Sequence, residues 1–312
     1  MSEFVHIPVM LEECMEGLKI RNGGTYFDGT LGGGGHSYEI LRRSAPDGRL
    51  IATDLDDYAI TRASERLKEF EGRFTLVKDN FKNFSAIKDR LGVDGFDGIL
   101  LDLGVSSFQI DDKSRGFSYL LADEILDMRM DRRQPFSAKE IVNGYSESEL
   151  FRILSEYGED RFAKNIARNI VSARKERKIE TVGELNEIID RSIPKKFQKD
   201  GHPSKRTFQA LRIEVNGELE GLKTAVTDMT RSLKKGGRIA VISFHSLEDR
   251  IVKNVFRELE QDCVCDKRLP VCVCGKKKEI EIINSHPITA SEKELAVNGR
   301  ARSAKLRIAE KI

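Results

Sequence analysis

Phe27-Asp-Gly-Thr-Leu-Gly-Gly-Gly-Gly-His-Ser37 follows a short β-prone run ending in Tyr26-Phe27 and leads into an apolar-periodic segment through Tyr38, Ile40 and Leu41. The order is strand, turn, helix. Glycines at 32–35 carry no Cβ and let backbone N–H groups approach a ligand, while the helix start behind them adds orphan donors and a positive dipole end. A plain tight turn uses the same residues, so the loop takes its meaning from its surroundings.

Downstream, the chain alternates strands and helices. Arg49–Thr53 reads as a second strand ending in Asp54, Tyr58–Phe70 as a helix, Phe74–Val77 as a third strand and Phe96–Leu101 as a fourth running into Asp102. This is the pattern of a mostly parallel sheet covered on both faces. Each strand delivers polar residues at its carboxyl end, namely Asp28, Asp54, Asp79-Asn80 and Asp102, and ligands of open α/β sheets bind at that edge.

After Leu103 the alternation stops. Ser137 with Glu140, Ser146 with Glu149 and Thr181 with Glu184 match capping boxes and predict three helix starts in an inserted helical domain over 111–205. A helix expected over Arg161–Lys178 carries seven basic residues against one acid, Glu176. A second basic run holds Lys195, Lys196, Lys199, Lys205 and Arg206 against Asp200. A solvated helix face explains such runs as well as phosphate contact does. From Thr207 one long helix with a stripe from Leu211 to Leu233 is expected to stop at Gly236-Gly237. Arg238–Phe244 then gives a fifth strand, and Glu279–Ile283 and Ala304–Ala309 supply two late strands, one of them antiparallel. The sheet domain is thus assigned to 1–110 and 206–312.

Composition limits the function classes. A net charge of +2 from 33% charged residues does not announce a nucleic-acid binder, so any such role must come from local patches. No apolar run approaches the roughly 20 residues that span a bilayer, and the N-terminus lacks a signal-like pattern, so a cytoplasmic protein without membrane association is expected. Four of the five cysteines fall in Cys263-Val-Cys265 and Cys272-Val-Cys274, which argues against a dispersed disulfide framework. Zinc and reduced, merely clustered thiols both remain open there, and no metal is assigned.

The glycines miss the G-x-G-x-x-G spacing of a dinucleotide loop, and no P-loop lysine is present. Asp54 suits ribose hydroxyls, Asp28 is placed to meet the amino acid end of S-adenosylmethionine (SAM), and Phe81 beside Asp79-Asn80 suits an adenine ring. SAM is favoured over NAD. The polar loop from Asp102 to Ser118 offers Asp102, Ser106 and Ser107 to an exocyclic amine, and His245 in Ser243-Phe-His-Ser-Leu-Glu-Asp249 is a proton acceptor, an RNA contact or a helix cap. A hydrolase built on Ser243, His245 and Asp249 is disfavoured, since all three lie in one turn without a G-x-S-x-G elbow.

Taken together, these motifs closely resemble the bacterial small-subunit ribosomal RNA cytosine-N4 methyltransferases, the RsmH or MraW family. The likeness runs through His6–Glu12, Phe27–Ser37, Asp102–Ser118, Leu126–Met130, Arg206–Ile213 with Val215-Asn216, Val241–Arg250 and Arg300–Arg307. The resemblance implies a class I SAM-dependent methyltransferase fold, Rossmann-like with a seven-stranded sheet and an inserted helical domain for RNA recognition. It implies SAM as donor and the N4 amine of a cytidine in the decoding region of 16S ribosomal RNA, within the small subunit, as acceptor. Cofactor contacts carry over to Gly34, Gly35, His36, Asp54, Phe81, Asp102 and Gln109. We add a catalytic role for Asp102 and RNA contacts at Arg206 and His245, and a homodimer is compatible with the likeness. An NAD-dependent oxidoreductase and a non-catalytic RNA-binding protein are the rival classes.

Overall fold

The computed structural model describes residues 8–106, 109–110, 112–198, 202–266 and 271–312. Helix α1 (Leu11–Leu18) precedes the alternation β1 (Thr25–Asp28), α2 (Gly35–Arg43), β2 (Arg49–Asp54), α3 (Asp57–Arg66), β3 (Phe74–Lys78), α4 (Phe84–Arg90) and β4 (Phe96–Asp102). Helix α3 ends four residues before the expected Phe70, and a 3₁₀ turn over Lys68–Phe70 covers the difference. Strands β5 (Leu233–Ser243), β6 (Ile280–Ile282) and β7 (Lys305–Lys311) complete a seven-stranded sheet in the order β3-β2-β1-β4-β5-β7-β6. Only β7 reverses direction, pairing antiparallel with both β5 and β6.

Successive side chains of a strand point to opposite faces, and both faces of this sheet are covered. Tyr26, Leu50, Leu100, Ala240 and Ile308 pack into one apolar layer with α1 and α2. Their neighbours Phe27, Ile51, Ile99, Leu101, Ile239 and Val241 pack into the other, with α4 and the later helices. Burial on both sides is why the strands read as continuous apolar runs rather than as alternating ones. Phe27 anchors the second layer, its ring 5.0 Å from Phe84 and 5.7 Å from Phe96.

The chain divides into two compact units, one comprising the residues up to Gly104 with Glu220–Ile312, the other Val105–Leu219. The second contains α5 (Ala138–Gly144), α6 (Glu147–Glu156), α7 (Ala163–Ala173), α8 (Val182–Ser192) and α9 (Lys205–Asn216). All three expected capping boxes are formed, at the starts of α5, α6 and α8. Asn216 ties motifs far apart in sequence: its Oδ1 accepts from Met130 N–H at 2.8 Å and its Nδ2 donates to the Met128 carbonyl at 2.8 Å. No described helix is long and apolar enough to cross a membrane.

Two expectations need correction. The long helix after Thr207 is two helices, α9 and α10 (Leu222–Arg231), separated by Gly217 and Gly221 at φ +54° and +71°. Phe208, Leu211 and Val215 of α9 belong to the helical core, whereas Leu222, Val226 and Met229 of α10 belong to the sheet's. The boundary therefore falls at 219/220, not 205/206, and on the other side at 104/105, not 110/111. Second, Gly236-Gly237 does not stop a helix but lies inside β5. Gly236 takes φ +76°, and the β4–β5 register shifts between Phe96↔Leu233 and Gly98↔Arg238. A Cβ on Gly237 would stand 2.9 Å from the Phe96 carbonyl oxygen, so the irregularity requires glycine.

Candidate functional site

The strand order turns back between β1 and β4, where β1 leads to β2 on one side and β4 to β5 on the other. The crevice beyond the carboxyl ends of two such strands is where open α/β sheets bind ligands. Asp28 ends β1 and Asp102 ends β4. The glycine loop covers this edge and is fastened to it. Gly29 N–H donates to the Leu100 carbonyl at 3.0 Å, Leu31 N–H to the Thr53 carbonyl at 3.0 Å, and Asp102 N–H to Thr30 Oγ1 at 2.6 Å. Asp54 holds the loop's middle, its Oδ2 accepting from Gly32 N–H at 2.8 Å and its Oδ1 from Asp56 N–H at 2.9 Å.

Asp28 is 1% exposed, and both of its oxygens serve the loop. Oδ1 accepts from Thr30 N–H at 3.0 Å and Oδ2 from Ser37 Oγ at 2.7 Å. It braces the turn against the helix. Burial pushes its carboxyl up to about 6, opposed by the Ser37 and Thr30 bonds and assisted by the Asp54 charge. Because this value lies above that of an unfolded carboxylate, the group favours folding below about pH 4, and the benefit is lost as pH rises through about 6. Asp28→Asn keeps one acceptor and supplies a donor for Ser37. Urea unfolding at pH 8 should find it as stable as the wild type or up to about 3 kcal/mol more stable, and a loss of stability at pH 8 would contradict this account.

Asp102 is the group left with capacity. Its Oδ1 is buried and has no hydrogen-bond partner among the described residues, while Oδ2 stands 4.0 Å from His36 Nδ1. Burial first, then the charges of Asp28 and Glu248, push its carboxyl up to about 8. His36 is 6% exposed, and its Nε2 meets the Val9 carbonyl at 3.0 Å. A carbonyl only accepts, so Nε2 carries the proton and Nδ1 is turned toward Asp102. Buried carboxyls with raised values at a crevice make this edge the candidate site. The sequence did not single out Thr30 or Ser37, whose hydroxyls fix the Asp102 amide and the Asp28 carboxylate. A hydroxyl two residues after an acid was the available signal.

Gly34 is the left-handed N-cap of α2, and Gly35 approaches Pro8 so closely that a Cβ would stand 2.2 Å from Pro8 Cγ. Phe81 opens a 3₁₀ turn over Phe81–Asn83 and is half-buried against the sheet, next to Gly29. The polar pair before it is occupied: Asn80 Oδ1 caps the turn through Lys82 N–H at 3.0 Å, and Asp79 Oδ1 accepts from Asn83 Nδ2 at 2.7 Å. Gln109 lies in the helical unit, where it exchanges hydrogen bonds with Ser106 at 3.0 and 3.2 Å. Ser107 lies outside the described residues.

His245 is the N-cap of α11 (Ser246–Glu260), in a capping box with Glu248, and its side chain is 5% exposed. Of the three readings the sequence left open, the helix cap is the one this geometry realises. Ser243, His245 and Asp249 form no triad: Ser243 Oγ donates to the Lys305 carbonyl, and Asp249 is engaged by Arg307 at 2.6 Å. Arg206 donates to the Glu159 carbonyl.

In the helical unit, α7 is shorter than the expected Arg161–Lys178. Of the seven basic residues, Arg174 donates to the Val142 and Tyr145 carbonyls and Arg177 pairs with Glu184. Lys164, Arg168, Lys175 and Lys178 remain exposed. The two basic runs meet through aromatic rings, since Phe162 and Phe197 lie 5.4 Å apart with Arg161 3.9 Å and Lys196 4.9 Å from the Phe197 ring. Lys199 and Asp200 lie outside the described residues.

A sheet of this order with one reversed strand, carrying a glycine loop over the crevice between β1 and β4, defines a class I SAM-dependent methyltransferase fold. The chain belongs to the MraW methylase family, whose model matches residues 3–312, and it is a methyltransferase. A relative from Lachnospira eligens, named Ribosomal RNA small subunit methyltransferase H, is 56% identical over 311 residues, covering 99% of this chain and 98% of the relative. A relative of the same name from Clostridium botulinum (strain Loch Maree / Type A3) is 54% identical over 310 residues, covering 99% of this chain and all of the relative.

Proposed function

We propose that this protein transfers a methyl group from SAM to the exocyclic N4 amine of a cytidine in the decoding region of 16S ribosomal RNA. The observation that carries the reading is the Asp102 carboxyl, buried beside the glycine loop with one oxygen unpartnered among the described residues and His36 Nδ1 near the other. The names of the relatives agree with an RNA substrate of the small subunit.

The residues present fit SAM. Gly34, Gly35 and His36 line the start of α2, Asp54 ends β2 with lone pairs left for ribose hydroxyls, and Phe81 offers a half-exposed ring to adenine. Bound there, SAM supplies a methyl group made electrophilic by its sulfonium. Cytosine N4 is a weak nucleophile because its lone pair is delocalised into the ring, so the base must leave its stack and its amine must be aimed. Ionised Asp102 accepts an amine N–H on Oδ1 and, once the methylated nitrogen becomes acidic, takes its proton. Burial first, then the charges of Asp28 and Glu248, holds its basicity up. The exposed cations of α7, with the Arg161, Phe162, Lys196 and Phe197 cluster, supply phosphate and stacking contacts typical of RNA faces.

Isotope-labelled SAM with small-subunit RNA, followed by nuclease digestion and mass spectrometry, tests the reading. Label should appear in N4-methylcytidine from the decoding region, and label in any other nucleoside would refute it. Charge reversal at Lys164, Arg168, Lys175 and Lys178 together should weaken RNA binding and flatten its salt dependence by about 0.7–0.9 per lost phosphate contact. An unchanged slope would remove this basic run from the RNA face.

A further inference from the structure

Among the described residues, the four cysteines of the two C-x-C pairs converge. Cys263 and Cys272 Sγ are 3.5 Å apart, Cys272 and Cys274 3.5 Å, Cys265 and Cys272 3.9 Å, and Cys263 and Cys274 3.9 Å. All four sulfurs lie within 4.8 Å of one another. A disulfide would need about 2.05 Å, so none of these pairs is bonded. Four thiolates placed tetrahedrally at about 2.3 Å from one ion stand about 3.8 Å apart, which is the spacing observed. A polynuclear iron–sulfur cluster would spread its thiolates over different irons.

The surroundings support the same reading. Backbone N–H groups of Val264, Cys265 and Val273 are directed at Cys274, Cys263 and Cys265 Sγ at 3.5, 3.4 and 3.3 Å. Such donors disperse the negative charge of metal-bound thiolates. Among the described residues of the excursion between α11 and β6, Val264, Val271 and Val273 are 59, 70 and 77% exposed and build no apolar core. The excursion's exit is tied back to the helix end by Lys276 Nζ on the Glu258 carbonyl and Glu279 N–H on the Leu259 carbonyl. Ordering such a segment costs about 1–2 kcal/mol per residue in backbone entropy, and its described residues bury little apolar surface to offset it.

We infer that Cys263, Cys265, Cys272 and Cys274 hold one zinc ion that staples this excursion. Four protein ligands close the coordination sphere, so the ion is structural and takes no part in methyl transfer. The inference is independent of the proposed substrate. The full-length protein, purified without oxygen or added chelator, should carry about one zinc per chain by plasma mass spectrometry. The four thiols should resist alkylation until a chelator is added. Cobalt substitution should give thiolate-to-metal charge-transfer absorption, and Cys263→Ser with Cys274→Ser should lower bound zinc at least about tenfold. Four reactive thiols that take up neither zinc nor cobalt would overturn the inference, as would cobalt bound without thiolate absorption or disulfides found in the anaerobic protein. If the double variant does not fold, metal content and the cobalt spectrum of the wild type decide the question.

Discussion

Asp102→Asn is expected to slow methyl transfer by about 10²–10⁴-fold while leaving the protein folded. The amide preserves the shape of the side chain but cannot take a proton, and it places an NH₂ or a weaker acceptor where Oδ1 has no partner among the described residues. The pH profile separates this role from a structural one. The carboxyl is held at about 8, so it is protonated and inactive as an acceptor below that value. For the wild type, kcat/KM, which reports the free enzyme, should climb with pH and level off above about 8. The variant should lack that limb.

Stability should move the other way. The folded value lies above that of an unfolded carboxylate, so ionisation of Asp102 weakens the fold as pH rises through about 8. Above that pH the asparagine variant should unfold at higher urea than the wild type. A variant that methylates RNA at the wild-type rate would take Asp102 out of the chemistry.

Gly34→Ala is expected to cost about 2–5 kcal/mol of stability and to weaken SAM binding with it. Two effects combine. The residue sits at φ +73°, where a side chain is strained, and a Cβ there would stand 3.1 Å from Ala63 Cβ and 3.3 Å from Ala63 Cα. Ala63 is fully buried in α3, so the loop or the helix must give way. Gly32→Ala is the control: φ is +49°, but the nearest atom to its Cβ is 4.0 Å away, leaving the backbone cost alone. Calorimetric SAM titration and urea unfolding should rank Gly34→Ala well below Gly32→Ala. Adding Ala63→Gly should recover the packing part, read as a double-mutant coupling of about 1 kcal/mol or more. Equal losses at the two glycines would show that the approach of α3 to the loop carries no weight.

Much of this architecture was legible beforehand because its signals are local. Strand ends announced themselves by an acid after an apolar run, and the three capping boxes needed only a hydroxyl and a glutamate three residues apart. The split between α9 and α10 was not legible, because both helices carry apolar stripes of the same period. Periodicity tells that a face is buried, not in which core. The glycine pair at 236–237 misled for a related reason: a left-handed glycine serves a helix end and a strand irregularity equally well. His245 was ambiguous because an imidazole has two nitrogens, and one of them can cap a helix whatever the other does.

By itself, the sequence determined the mostly parallel sheet, the edge at which its acids gather, the glycine loop across that edge and the likeness to a methyltransferase family. These rest on neighbours along the chain, where spacing and residue type carry the physics. Only the tertiary structure decided which acid is spent and which is available. Asp28 and Asp102 look alike as acids at strand ends, yet Thr30 and Ser37 each engage one oxygen of the first, while burial beside two other carboxylates raises the second, whose Oδ1 has no partner among the described residues. It likewise decided that two C-x-C pairs bring four sulfurs to the spacing of a single tetrahedral ion. Both depend on distances between atoms remote in sequence, and spacing along a chain does not encode those.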